Sequence, residues 1–281
     1  MQGKTCLITG ATAGIGLKTA EGLAAKGARL AIAARDPAKA ARVAESLRQK
    51  GAAGVSVLHA DLSRQSDVRA LAAEVLERLP RIDVLINNAG AYVHRRDESA
   101  DGIEMTWALN HLAPFLLTNL LLGRLRESGA RIVTVASAAH SGAALDFGDL
   151  QLKTGYSGWK AYGRSKLANI MFTYELARRL SGNGVTANAL HPGFVASSLG
   201  DNNSPLIRLA FGFAKLFAIS EQKGAGTSIH LASSPEVADT TGRYFVQCQP
   251  RYSSRVSQVE ESWTRLWDAS AALVGLDAEG A

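Results

Sequence analysis

The chain has 281 residues, 47% of them hydrophobic and 20% charged, with 27 Gly against 7 Pro. This composition excludes a disordered tail and a collagen-like repeat, and the length suits one domain with a substantial core. Lys plus Arg number 31 and Asp plus Glu 25, a net charge of +6. That excess fits a phosphate-bearing ligand or an anionic surface, while the absence of any basic run argues against a nucleic-acid partner. Cys6 and Cys248 are too few for a disulfide framework or a zinc cluster, so no metal is expected and reducing cytoplasm is the expected compartment. No signal peptide is expected either, because residues 1–4 lead straight into a strand-like run.

Short apolar runs alternate with long helical patterns. Strands are expected at 5–9, 30–34, 55–59, 84–87, 132–136, 186–190 and 244–247. The first six are rich in Val, Ile, Leu and Ala with little polar alternation, the pattern of strands buried on both faces of a parallel sheet. Helices are expected over 16–26, 37–50, 66–78, 102–125 and 156–180, each long enough for a crossover. Gly27 and Gly51 fall at helix C-caps and Pro37 in a first turn. Right-handed crossovers then generate a Rossmann-like, doubly wound parallel sheet of seven strands with helices on both faces. Nothing marks a linker, so 1–281 is read as a single dinucleotide-binding and catalytic domain.

Directly after the first expected strand comes Thr9-Gly10-Ala11-Thr12-Ala13-Gly14-Ile15-Gly16, and a helical pattern follows at once. Strand, glycine turn and helix in this order are the context that dinucleotide binding requires. Gly10 permits the tight turn, Gly14 lets the backbone approach a pyrophosphate, and Gly16 lets the helix pack on the strand. The helix N-terminus then offers free N–H groups to phosphates. Thr12 and Ile15 complete the loop positions expected to touch the cofactor.

The spacing Thr-Gly-x-x-x-Gly-x-Gly resembles that of short-chain dehydrogenases/reductases, and further segments match the family in order along nearly the whole chain. The resemblance implies an adenine contact for Asp61-Leu62 and sheet and cofactor support from Asn87-Asn88-Ala89-Gly90. Asn110 would fix a local helix distortion and hold a water that relays protons. Pro192-Gly193 would border the cofactor, with Val195 meeting the nicotinamide carboxamide. More narrowly, Asn110-His111-Leu112, the stretch 162–180 and Arg265-Leu266-Trp267-Asp268 resemble the retinol dehydrogenase-like branch, although no N-terminal membrane anchor of the kind many of those enzymes carry is expected here. The family resemblance implies an NAD(P)-dependent oxidoreductase.

The residues carry their own chemical argument. Tyr162 and Lys166 are four apart on an expected helix and share a face. A free phenol has a pKa of about 10; a neighbouring ammonium and an oxidised nicotinamide both favour the phenolate, letting Tyr162 exchange a proton with an alcohol or carbonyl. Lys166 would also hold the nicotinamide ribose, as the resemblance implies. Ser137 ends a strand at the sheet edge where α/β enzymes place ligands, and its hydroxyl suits stabilisation of the reacting oxygen. Arg35 follows the second strand and could grip a 2′-phosphate, whereas Asp36 is the competing ribose-binding acid. Asp36 is read instead as the cap of the helix starting at Pro37, which makes NADP the expected cofactor and NAD the alternative. No second basic group is seen in the glycine loop, where Ala13 stands.

His191 reads as structural, and neither His111 nor His140 has metal-ligand spacing. Ser137 and His140 lack the Gly-x-Ser-x-Gly elbow of a hydrolase. Residues 194–233 are expected to form a substrate lid. Its apolar stretch 206–219 spans 14 residues and carries Arg208 and Lys215, too short and too charged for a membrane span. An apolar lid points to a hydrophobic carbonyl or alcohol such as a retinoid, steroid or lipid aldehyde. The lid is also compatible with peripheral membrane contact, and a homo-oligomer is compatible with the chain. The alternatives are a non-catalytic NADP-binding regulator and a carbon–carbon double-bond reductase like the protochlorophyllide reductases.

Overall fold

A computed structural model describes residues 1–193 and 220–277. One sheet organises them, in the spatial order β3-β2-β1-β4-β5-β6-β7-β8. Its strands are β1 (Thr5–Thr9), β2 (Arg29–Ala34), β3 (Gly54–His59), β4 (Val84–Asn87), β5 (Arg131–Val135), β6 (Thr186–His191), β7 (Arg243–Val246) and β8 (Gln249–Arg251). The first seven pair in parallel, as the apolar runs require. The eighth is a three-residue antiparallel edge after a two-residue turn. It was not expected, because Gln249, Pro250 and Arg251 are exposed and carry no strand pattern.

Alternate side chains of each central strand serve opposite cores. Leu7 and Leu85 join one hydrophobic cluster, while Cys6, Ile8, Val84 and Ile86 join the other. The second face is covered by α1 (Gly14–Ala24), α2 (Pro37–Gln49) and α8 (Glu221–Ser233), through Leu23, Leu47 and Leu231. On the first face lie α3 (Gln65–Arg78), α4 (Met105–Trp107), α5 (Ala113–Leu120), α6 (Leu122–Ser128), α7 (Gly158–Arg179) and α9 (Glu260–Val274). Trp267 of α9 packs edge-on against Phe115 at 4.9 Å between centroids and stacks on Phe172 at 5.8 Å. Burial of those three rings anchors the last helix to the layer.

The helix expected over 102–125 is broken. A π-turn, Ala108–Leu112, separates α4 from α5. Pro114 has no N–H to offer the Asn110 carbonyl one turn earlier. That carbonyl accepts from Asn169 Nδ2 of α7 instead, at 2.8 Å. At the other end, Glu104 caps α4 by accepting from the Thr106 and Trp107 amides.

Part of the expected lid is also reassigned. Residues of α8 belong to the flanking layer, where Leu231 and Ala232 are buried and Ile229 packs beside Gly22 of α1. The remainder of the expected lid, 194–219, lies outside the described residues. Among the described residues no helix is long and apolar enough to cross a membrane.

Candidate active site

The C-terminal ends of β1, β2 and β4 open into a cleft of about 430 Å³. Its lining includes Gly10, Thr12, Gly14, Ile15, Gly16, Arg35, Leu62, Asn88, Ala89 and Gly90. The local fold explains the opening. Gly10 and Gly14 hold φ of +67° and +57°, left-handed values that glycine adopts without penalty. A Cβ on Gly16 would fall closer than 3.0 Å to the Gly10 carbonyl and to Asn88 Nδ2, so only glycine fits. Asn88 Nδ2 donates to the carbonyls of Thr9 and Gly10, at 2.9 and 3.1 Å. The Thr9 hydroxyl in turn accepts from the amides of Asn88 and Ala89. This knot ties the glycine turn to the end of β4. Helix α1 then begins at the cleft with no side-chain cap and no acid in its first turn. Its free amides suit an anionic diphosphate.

At the far end of β2, the Asp36 carboxylate accepts from the Lys39 amide at 2.9 Å and caps α2. Capping leaves the cleft wall here to Arg35 and Lys39. Lys39, on α2 and not in the glycine loop, is a second basic group beside the cleft that the loop sequence did not reveal. The available signal was its place three residues after the cap, in the turn that faces the strand ends. Asp61 does not line the cleft; Ala60 and Leu62 do. Asp61 Oδ1 accepts from the Ser63 amide and hydroxyl, at 3.0 and 2.8 Å. Burial opposes ionisation of that carboxyl, but the Ser63 hydrogen bonds and the charges of Arg35 and Arg64 hold its pKa below the ordinary value.

Tyr162 and Lys166 lie on α7, both buried, with Lys166 Nζ 5.7 Å from the centroid of the Tyr162 ring. Lys166 Nζ donates to the Val135 carbonyl at 2.9 Å. Burial pushes the phenol up to about 12, with a hydrogen bond to Ser137 pulling the other way. Burial also pushes Lys166 down to about 8. In the protein alone burial is the largest influence on both groups and drives each toward its neutral form. Ser137 stands two residues beyond β5, where its hydroxyl accepts from the Ala139 amide at 3.2 Å and pulls the Tyr162 phenol down against burial.

Asn110 sits in the π-turn. Its Oδ1 accepts from the Ala91 amide at 2.8 Å, and its Nδ2 donates to the Ala91 carbonyl and the Ser165 hydroxyl. A Cβ on Gly90 would meet Asn110 Oδ1 at 3.2 Å and Lys166 Nζ at 3.4 Å, so both groups face Gly90. Two aromatic rings missed in the sequence flank the tyrosine: Tyr92 edge-on and Trp159 tilted by 31°, each 6.2 Å from its centroid. Trp159 was detectable as the residue three before Tyr162 on the same helix face. Pro192 and Gly193 follow β6 at the sheet edge but do not line the cleft. Val195 lies outside the described residues.

A glycine cradle, an uncapped helix and a Ser–Tyr–Lys group at one sheet edge define a dinucleotide-binding α/β oxidoreductase. A family model described as short chain dehydrogenase matches residues 4–205. The chain belongs to the short-chain dehydrogenase/reductase family, whose members use a nicotinamide cofactor. Human retinol dehydrogenase 14 is 44% identical over 98% of this chain and 88% of its own length. Mouse retinol dehydrogenase 12 is 42% identical over 99% and 88% respectively. Among solved structures, an uncharacterized protein from Mycobacterium paratuberculosis is 33% identical with a TM-score of 0.79, covering 98% of this chain and 95% of that one. The NADP active-site complex of Pseudomonas aeruginosa RhlG is 29% identical with a TM-score of 0.70, over 87% of this chain and 94% of that one.

Proposed function

We propose that the protein interconverts a hydrophobic carbonyl and the corresponding alcohol with NADP(H), using Asn110, Ser137, Tyr162 and Lys166. The observation that carries this reading is that Lys166, its nitrogen 5.7 Å from the centre of the Tyr162 ring, faces Gly90 of the glycine-lined cleft together with Asn110. When bound there, the nicotinamide supplies or accepts a hydride. In reduction, the Tyr162 hydroxyl gives its proton to the substrate oxygen and Ser137 donates a hydrogen bond to the same atom. Burial lowers the Lys166 pKa to about 8, and in its charged form Lys166 favours the phenolate that proton loss creates. The Asn110 side chain is spent on Ala91 and Ser165, so it acts by tying the π-turn to the Ala91 backbone and to α7.

Arg35 and Lys39 support the choice of NADP, since two cations at the end of β2 suit a 2′-phosphate. The apolar substrate is supported by Trp159, which is 60% exposed although it stands against the catalytic tyrosine. The names of the retinol dehydrogenase relatives point the same way. The test is turnover of NADPH and NADH over a panel of aldehydes, ketones and alcohols that includes retinal and retinol, with product analysis. Tyr162→Phe is expected to lose most turnover while still binding cofactor. Cofactor binding with no turnover of any substrate would leave a regulator, and a product saturated at a carbon–carbon bond would leave a double-bond reductase.

A further inference from the structure

The turn that carries Ser137 is held by two histidines from different parts of the fold. His140 is 3% exposed and follows Ser137 in a 3₁₀ turn, Ala138–Gly142. Its Nδ1 lies 2.7 Å from the Ser137 carbonyl, and its Nε2 accepts from the Ser254 amide at 3.1 Å. A carbonyl accepts only and an amide N–H donates only. These two contacts therefore assign the ring: neutral, with its proton on Nδ1. His191, at the end of β6, accepts from the Ala138 amide through Nδ1 at 3.2 Å, which assigns its proton to Nε2. One ring thus holds the carbonyl of the serine peptide and the other holds the amide of the next residue.

We propose that His140 and His191 are positioning residues: two neutral imidazoles that clamp the Ser137 turn in register with Tyr162, and whose protonation opens the clamp. A second proton on His140 would go to Nε2 and confront the Ser254 N–H, turning an attraction into a donor–donor contact. A second proton on His191 would likewise displace the Ala138 N–H. The surroundings favour the neutral rings. Burial lowers the pKa of both, with the Ser137 carbonyl pulling His140 the other way and the His140 ring adding to the penalty on a charged His191. The titratable groups that face His140 are His191 from β6 and Tyr244 from β7, whose ring lies edge-on at 5.1 Å. Through Ser253, next to Ser254, Tyr174 of α7 also reaches this segment. Through Ser137 itself, Tyr162 does the same.

The kinetic part of this inference rests on the proposed role of Ser137, so the experiment has an arm that does not. Nitrogen-15 NMR of the wild-type protein, assigned with His140→Gln and His191→Gln, reads tautomer and protonation directly. Nδ1–H for His140 and Nε2–H for His191 are expected, both rings staying neutral below the ordinary histidine pKa of about 6.5. The opposite tautomers, or titration near that ordinary value, would overturn the clamp. In the kinetic arm His140→Ala is expected to lower kcat by about 10- to 100-fold, with KM and cofactor affinity within about twofold. His140→Gln is expected to restore part of kcat and, lacking a titrating ring, to flatten its acid limb. A kcat unchanged in His140→Ala, or a loss shared equally with cofactor binding, would refute positioning. A wild type with no turnover would remove the proposed function and leave the NMR arm to decide the clamp.

Discussion

Replacing Gly16 by Ala tests the cofactor cradle at its tightest point. The new methyl would overlap the Gly10 carbonyl and Asn88 Nδ2, and contact at an ordinary carbon spacing requires these groups to retreat by roughly 1 Å. Retreat breaks the two hydrogen bonds by which Asn88 holds the Thr9 and Gly10 carbonyls, at about 1 kcal/mol each. Overpacking adds about 1–3 kcal/mol, and the better helix propensity of Ala returns up to about 1 kcal/mol. A net loss of about 2–5 kcal/mol follows, a fall in Tm of about 4–20 °C for a chain of this size. Cofactor affinity should fall with it, because the same carbonyls shape the turn. Gly123→Ala in α6 is the control: its added Cβ meets nothing within 4 Å, so stability should hold or rise slightly. Calorimetry with cofactor titration reads both quantities. A Gly16→Ala protein as stable as wild type, with unchanged affinity, would refute the close-approach argument.

Arg35→Asp, alone and with Lys39→Ala, is expected to cut the preference for NADPH over NADH by about 10- to 100-fold, the worth of one or two charge-assisted hydrogen bonds. Steady-state kinetics with both cofactors gives the ratio, and an unchanged ratio would return the preference to another group. Trp159→Ala is expected to raise KM for large apolar substrates by about tenfold and leave short aldehydes nearly unaffected, so parallel losses for both would remove it from the substrate wall. His111, buried between Asn169 and Ser270, is pushed down to about 4 by burial, with Asn169 pulling the other way. The unfolded chain therefore binds the proton first. The stability held in the neutral ring is full above about pH 6.5 and lost as pH falls toward 4, about 3 kcal/mol in all. Denaturant unfolding of wild type and His111→Gln at pH 7 and 4.5 should show a flatter pH response in the variant. Equal slopes would contradict the assignment.

The sheet was legible because its central strands are buried on both faces, and β1 and β4 start and end where their apolar runs do. The edge was not: β8 is held by pairing with β7 rather than by apolar side chains. Helix α9 was not legible either, although its Leu266 and Trp267 stand in a segment that carries the family resemblance. Its apolar face becomes meaningful only against Phe115 and Phe172, far away in the chain. The break at the π-turn had a visible cause in Pro114, but the partner that makes the break tolerable, Asn169, is brought in by α7. In the site, the glycine loop and the spacing of Tyr162 and Lys166 are local patterns and could be read directly. Lys39 and Trp159 had local signals in their helices, whereas the Tyr92 ring and the histidine contacts join residues far apart in the chain, and only the fold brings them together.

The electrostatics of Tyr162 and Lys166 show how far spacing alone carries an argument. Four residues apart on a helix, a phenol and an ammonium share a face, and in water the ammonium would favour the phenolate. In the folded protein the same helix face is buried, so each group is driven toward its neutral form: the phenol up to about 12, the amine down to about 8. The lysine is held to the Val135 carbonyl, with its nitrogen 5.7 Å from the centre of the phenol ring. A phenol in that state is a proton donor at neutral pH and a poor base. Alcohol oxidation needs the base, so whatever lowers this pKa must come with the ligands, through positive charge brought near the ring. Binding and activation are then one event, and the cradle built by Gly10, Gly16 and Asn88 decides both.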